Sequence, residues 1–142
     1  INALTNTRFD AGNSILLQQA LVEYLNSGKL ESHIKDMRLL YKEKCEALCS
    51  SLKLHCAPYV KFDQPSGGYF LWLQCIGPKS YEVSVEAEKL DLMLPLGSSF
   101  FQNCDDDDTD HFRIAYSTAT IEELTRVGPL LGDAFKAALG ET

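Results

Sequence analysis

Residues 111–117 read HFRIAYS, and the rest of the chain is best interpreted outward from this alternating stretch. The apolar side chains of Phe112, Ile114 and Tyr116 fall on one side of an extended chain, and Arg113 falls on the other side among small residues. A period of two is typical of a strand with one buried face. The stretch therefore predicts a strand that presents one guanidinium on its polar face.

Arg113 is the candidate functional residue of this strand. An arginine presents a planar fork of N–H donors that matches a carboxylate or a phosphate in a bidentate manner. A structural ion pair at the surface is the alternative role, because such pairs are common and contribute little. Spacing alone leaves both roles open.

The regions on either side of the strand differ in character. The run 104–110, CDDDDTD, lacks the spaced ligands, central glycine and terminal glutamate of a calcium loop, so a solvated loop is favoured over a metal site. After the strand, Thr120 and Glu123 predict a capping box at the start of a last helix. The apolar positions of that helix are Leu124, Val127, Leu130, Leu131, Phe135 and Leu139.

Upstream, the apolar spacing predicts two helices, from Ser14 to Leu25 and from Leu30 to Leu52, separated by a break at 26–28. An aromatic strand follows Gly67 and Gly68 and ends near Cys75.

A short helix is then expected from a cap at Ser80 to Glu88, and a short strand or edge segment at 92–95. Trp72 and Phe100 are interpreted as core residues. This order predicts an α+β fold: a small, mostly antiparallel sheet covered on one face by helices and preceded by a long helical segment.

Composition narrows the classes of partner. The 142 residues carry 20 acidic and 13 basic side chains, a formal net charge of −7, so neither nucleic acid nor an anionic membrane is an expected partner. No apolar run is long enough to span a bilayer and no signal pattern opens the chain, which favours the cytoplasm, with an organelle matrix as the alternative. The chain opens with Ile1 rather than Met, which suggests a processed or truncated product.

The five cysteines are interpreted as reduced thiols. Cys45, Cys49, His55 and Cys56 could be imagined as zinc ligands, but their spacing fits no usual zinc pattern. No metal site is therefore expected.

Several short motifs together resemble one family. They are Gly28-Lys29-Leu30, His33-Ile34, Met37-Arg38, Tyr41, Pro65-x-Gly67-Gly68-x-Phe70-x-Trp72, Gly97-x-x-Phe100 and Phe112-Arg113-Ile114-x-Tyr116-Ser117. In this order and spacing they resemble the C-terminal (small) domain of class I/II pyridoxal-phosphate-dependent aminotransferases of fold type I. The nearest branch is the 2-aminoadipate/kynurenine aminotransferase-like one, which also supplies the effector domain of MocR-type regulators.

The resemblance implies a division of the chain and a role for its arginine. Residues 1–27 would be the end of the large domain or a linker helix, and 28–142 the small domain. Arg113 would grip the α-carboxylate of an amino acid substrate during amino-group transfer to a 2-oxo acid, so that the domain helps close the active site. Gly67, Gly68, Tyr69 and Phe70 would be mainly structural. The parent would be a homodimer.

The resemblance also implies a cofactor, pyridoxal 5′-phosphate, held mainly by a large domain that these residues do not include. That domain would supply the catalytic lysine, so no catalytic residue is expected here. The nine lysines, interpreted as lying on solvated helix faces or in loops, match no such position: Lys29, Lys35, Lys42, Lys44, Lys53, Lys61, Lys79, Lys89 and Lys136. The chain alone is predicted not to transaminate.

Two alternatives to an enzyme domain stay open. The first is the effector-binding domain of a MocR-type transcription regulator with a winged helix upstream. The second is a stand-alone, non-catalytic interaction domain that has kept the fold.

Overall fold

The computed structural model describes residues 14–100 and 110–141. The chain divides into two compact units, Ile1–Arg38 and Leu39–Thr142. The acidic run lies almost wholly outside the described residues.

The first unit contains helix α1, Ile15–Asn26, and the start of helix α2, Leu30–His55. Ser14 caps α1 and accepts a hydrogen bond from the backbone N–H of Leu17 at 3.5 Å. Gly28 separates the two helices with φ of 71°, a left-handed conformation that glycine adopts without steric cost. The predicted first helix and its break are confirmed.

In the second unit, the C-terminal half of α2 buries one stripe of side chains. Cys45, Leu48, Cys49 and Leu52 are buried and recur at intervals of three or four residues. This spacing places them on one face of a helix, which is the face that packs into the core.

The sheet has three strands in the order β1-β2-β3, and both pairs are antiparallel. The strands are β1, Val60–Lys61; β2, Phe70–Cys75; and β3, His111–Ala115. Trp72 lies opposite Arg113 in the β2–β3 register. Strand β1 has only two residues, too short for any alternation to be recognised in the sequence.

Residues 92–95 form an edge segment rather than a strand. Leu96 forms one isolated bridge with Phe112, and the Arg113 N–H donates to the Pro95 carbonyl at 3.1 Å. Pairing stops there, because a proline has no N–H with which to extend the ladder. A 3-10 turn, Gly97–Phe100, follows.

Two more helices complete the unit. Helix α3 spans Ser80–Glu88 as predicted, but the predicted cap at Ser80 is wrong by one residue. Lys79 is the N-cap, and its N–H donates to the Glu82 carboxylate at 2.9 Å, while Ser80 is buried. Helix α4 spans Ile121–Leu139.

The predicted capping box of α4 is present. The Glu123 N–H donates to Thr120 Oγ1 at 3.2 Å, and the Thr120 N–H donates to Glu123 Oε2 at 2.7 Å. Two backbone donors at the helix start are thereby satisfied. The hydrogen bond from the Thr120 N–H, followed by one that the Thr120 hydroxyl donates to Glu123 Oε2 at 2.9 Å, lowers the pKa of the Glu123 carboxyl.

Helices α2 and α4 pack closely around a proline. Pro129 lies inside α4 and cannot donate to the Thr125 carbonyl. The Ser51 hydroxyl of α2 donates to that carbonyl at 2.5 Å and accepts from the Gly128 N–H at 3.2 Å. A hydroxyl from one helix therefore replaces the hydrogen bond that the proline removes from the other.

One core joins the buried sheet face to α2, α3 and α4. Its largest fully buried side chains are Tyr116, Phe112, Phe135, Leu48, Leu52, Leu71, Leu73, Leu124, Leu131 and Val83. The α+β class and the small antiparallel sheet are confirmed. Within the described residues, no helix combines a membrane-spanning length with sufficient hydropathy.

Candidate functional site

Strand β3 presents Arg113 on the open face of the sheet. Phe112 and Ile114 are buried, whereas Arg113 is half-buried and Ala115 is exposed. The alternation follows from the strand geometry, since successive side chains point to opposite faces. Two anchored neighbours therefore fix the backbone from which the guanidinium projects.

The guanidinium of Arg113 lies over two aromatic rings. Its Cζ atom is 4.2 Å from the ring centroid of Phe70 and 3.6 Å from that of Phe100. Both distances are within the range of a cation–π interaction.

No carboxylate pairs with this guanidinium in the described structure. The ion pairs recorded among the described residues join lysines to acidic neighbours on the same helix, as in Lys42–Glu46 and Lys89–Glu86. The alternative role of Arg113 as half of a structural ion pair thus receives no support from the described residues.

A cleft of about 540 Å³ opens beside β3. Arg113 and Arg126 line it together with Asp91 and Glu123. The remaining lining is mostly apolar: Leu90, Leu92, Met93, Leu94, Pro95, Ile114, Ala115, Ala119, Leu124, Val127 and Leu130. The site thus combines two guanidiniums and two carboxylates with an apolar wall, and small-molecule sites commonly pair a few polar groups with an apolar lining.

Trp72 and Phe100 are not core residues, contrary to expectation. Trp72 is 39% exposed and Phe100 is 41% exposed. Trp72 stacks on His111 at 5.4 Å between ring centroids and meets Phe100 edge-on at 6.2 Å. The period of two already predicts that Trp72 lies on the face opposite Leu71, although a ring as large as that of Trp72 favours a buried position.

The Gly67–Phe70 segment is held by contacts at the entrance to β2. Tyr116 donates from its hydroxyl to the Gly68 carbonyl at 3.0 Å, and Tyr69 meets Tyr41 edge-on at 5.0 Å. Gly68 has φ of 95°, which a residue with a side chain rarely adopts. Phe70, also expected to be mainly structural, contacts Arg113.

Sequence reasoning missed Lys44, which is buried instead of lying on a solvated face. Its Nζ donates to the Ser117 carbonyl at 2.8 Å. The contact joins α2 to the chain just beyond β3. Lys44 therefore helps to hold the end of the strand that carries Arg113.

The described cysteines are buried and form no disulfide with one another: Cys45, Cys49, Cys56 and Cys75. Burial is the largest of the causes that raise the pKa of Cys49 and of Cys56 to about 12. Among the residues that the structure describes, no three histidine, cysteine or acidic side chains converge as metal ligands.

The chain is similar to proteins of two kinds. It is 26% identical over 118 residues to the uncharacterized HTH-type transcriptional regulator YdfD of Bacillus subtilis, covering 82% of this chain and 24% of that protein. It is 27% identical over 125 residues to the 2-aminoadipate transaminase of Thermus thermophilus, covering 87% of this chain and 31% of that protein. The chain thus spans at most about a third of these relatives. No family model matches it.

Solved structures agree with the transaminase match. The α-aminoadipate aminotransferase LysN of Thermus thermophilus, complexed with N-(5′-phosphopyridoxyl)-L-leucine, superposes with a TM-score of 0.77 at 24% identity, covering 89% of this chain and 32% of LysN. The kynurenine aminotransferase of Pyrococcus horikoshii gives a TM-score of 0.73 at 25% identity, covering 82% and 28%. The chain therefore has the fold of one part of the pyridoxal-phosphate-dependent aminotransferases, and its resemblance to their 2-aminoadipate and kynurenine branch is confirmed.

Proposed function

We propose that this chain is the small domain of a pyridoxal-phosphate-dependent aminotransferase and that Arg113 binds the α-carboxylate of its substrate. The observation that carries the proposal is the geometry of Arg113: it is half-buried, lines a cleft and has no carboxylate partner among the described residues. Among the described residues, no carboxylate competes with an incoming anion for the N–H donors of this guanidinium.

Arg113 would act by positioning. A bidentate guanidinium–carboxylate pair fixes both the distance and the plane of the bound group. Holding a substrate in one orientation removes much of the entropic cost of reaction. The apolar wall of the cleft would lower the local polarity around the bound carboxylate, which strengthens charge-assisted hydrogen bonds.

The described residues do not by themselves fit pyridoxal phosphate. All nine lysines are described, none lines the cleft, and the single buried one, Lys44, donates to the Ser117 carbonyl. The LysN and kynurenine aminotransferase structures contain pyridoxal-derived ligands, which supports this cofactor for the family. We place its anchor outside these residues and assign Arg113 to the substrate only.

Further parts of the proposal follow from the family. An amino acid and a 2-oxo acid would be the substrates, a homodimer the assembly and the cytoplasm the location. Residues 28–142 would form the small domain, preceded by a linker helix.

Replacing Arg113 tests the proposal. In the longest natural polypeptide that contains these residues, Arg113→Ala is expected to lower kcat/KM for the amino acid roughly a hundredfold, since losing a buried charge pair costs about 3 kcal/mol. Most of the change should appear in KM. Arg38→Ala, which removes the same charge from an exposed position on α2, should leave the kinetics unchanged. An unaltered kcat/KM in Arg113→Ala would contradict the assignment.

A regulator domain is the second candidate, favoured by the similarity to YdfD. In that case the same cleft would bind an effector, and the DNA contacts would lie in another domain. The sequence of the complete gene product distinguishes the two: an N-terminal winged helix supports the regulator, and its absence from the whole product supports the enzyme.

A further inference from the structure

The rings of Phe70 and Phe100 contact the guanidinium of Arg113 without accepting hydrogen bonds from its N–H groups. Ion pairing to a carboxylate would also immobilise an arginine, but it would use the N–H groups that a ligand needs. Contact with the π-face of a ring leaves those groups free, because the ring attracts the cation through its quadrupole. The distances of 4.2 Å to Phe70 and 3.6 Å to Phe100 identify this second mode of immobilisation.

The two rings reach Arg113 from different flanks of β3. Phe70 lies on β2, opposite Ala115, and is a diagonal neighbour of Arg113 on the same face. Phe100 belongs to the 3-10 turn that follows Leu96, whose bridge to Phe112 places it along the other edge of β3. The guanidinium thus contacts rings that two separate elements contribute.

The turn that carries Phe100 is itself fixed close to β3. A Cβ at Gly97 would lie 2.8 Å from the Cβ of His111, so only glycine permits this approach. Trp72 adds an edge-on contact to Phe100. Phe100 is therefore held by the close approach of its turn to β3 and by the contact with Trp72, although its ring is partly exposed.

We propose that Phe70 and Phe100 are positioning residues, which hold the guanidinium of Arg113 with its edge N–H donors directed to a substrate carboxylate. The inference rests on the proposed function and extends it to two residues that were expected to be structural. An arginine side chain has many rotamers to lose on binding. Rings that restrict these rotamers beforehand reduce the entropic cost of binding.

The first experiment needs no substitution. In the ligand-free longest natural polypeptide, ¹⁵N relaxation of the arginine Nε–Hε groups measures side-chain order. Arg113 should be markedly more ordered than the exposed Arg38. Equal mobility of Arg113 and Arg38 would overturn the inference, whatever Arg113 does with a ligand.

The second experiment tests the rings directly. Phe70→Leu and Phe100→Leu should each lower the order of Arg113 Nε–Hε and weaken binding of succinate, used as the carboxylate probe, roughly tenfold, as expected for loss of a cation–π contact. Phe70→Tyr and Phe100→Tyr keep a ring and should restore both readouts. Tyr81→Leu, which removes an exposed ring from α3, should change neither.

The outcomes separate this inference from the proposed function. If Arg113→Ala weakens succinate binding while both leucine variants bind as the wild type does, the rings do not position the guanidinium and the inference fails alone. If Arg113→Ala also binds as the wild type does, the proposed function fails, and the inference fails with it. The melting temperature of each variant reports whether a loss of binding reflects a loss of folding. Where a leucine variant does not fold, the comparison of the tyrosine variant with the wild type decides the question.

Discussion

The contribution of single residues is clearest in β3, where alternation alone predicted which side chains are buried. The same rule places Trp72 of β2 on the open face, against the general tendency of large aromatic residues to be buried. The contact between Phe100 and Arg113 could not be predicted, because it depends on where a turn distant in sequence packs.

The buried thiols give a residue-scale prediction. With the pKa of Cys49 and Cys56 raised to about 12 by burial, very little thiolate is present near neutral pH, and the thiolate is the reactive form. Iodoacetamide at neutral pH should therefore leave both residues unmodified in the folded protein and alkylate them after denaturation. Peptide mass spectrometry measures the outcome, and native labelling at the denatured rate would contradict it.

A second residue-scale prediction concerns Glu123. Its folded-state pKa is lowered by the hydrogen bonds from Thr120, so its contribution to stability is present above the unfolded pKa and is lost as pH falls through the folded value. Glu123→Gln should therefore reduce the loss of stability on acidification below the ordinary value of 4.5. Chemical denaturation across this range measures it. The exposed neighbour Glu122 provides the control, and an equal effect of Glu122→Gln would remove the special role of the cap.

At the scale of elements, the sequence predicted helices well and their junctions poorly. Apolar spacing located the long helices because each has many turns over which a period of 3.6 can be recognised. The contact of Ser51 with Thr125 and Gly128 links residues more than seventy positions apart, and no local pattern encodes it. The strand β1 was not predicted because two residues are too few to show an alternation.

The α2–α4 junction gives an element-scale prediction. Ser51→Ala leaves the Thr125 carbonyl and the Gly128 N–H without the hydroxyl that satisfies both, and should lower the free energy of unfolding by about 1–3 kcal/mol. Ser50→Ala, at the adjacent exposed position, should cost little. Urea denaturation measures both, and equal midpoints for the two variants would show that the junction contributes nothing.

The same junction leaves no room for a side chain at Gly128. Alanine is normally favoured over glycine in a helix by about 1 kcal/mol. Here a Cβ would lie 2.5 Å from the Ser51 carbonyl oxygen, so Gly128→Ala should instead destabilise the fold by about 1–3 kcal/mol through overpacking. Gly67→Ala, at a position with open space around it, is the comparison. A melting temperature of Gly128→Ala at or above that of the wild type would show that α2 and α4 can move apart without loss of stability.

At the scale of the whole molecule, the fold can be recognised without the chemistry being known. The described residues share one hydrophobic core, and the match to LysN covers 89% of this chain. The family resemblance, which no single element carried, came from several motifs in a fixed order. A fold does not by itself establish a function, however, and the similarity to YdfD shows the same sequence pattern in a protein described as a regulator.

The last prediction concerns the lysine that would anchor the cofactor. If the covalent anchor lies outside these residues, the 142-residue chain mixed with equimolar pyridoxal phosphate and reduced with borohydride should show no preferred site of lysine modification. Eight lysines are exposed and equivalent to surface amines, while the Lys44 amine is buried and donates to the Ser117 carbonyl. Peptide mass spectrometry locates any adduct. Stoichiometric modification of Lys44 would mean that this domain carries its own anchor, since a buried amine that still outcompetes eight exposed ones must lie in a site built for the cofactor.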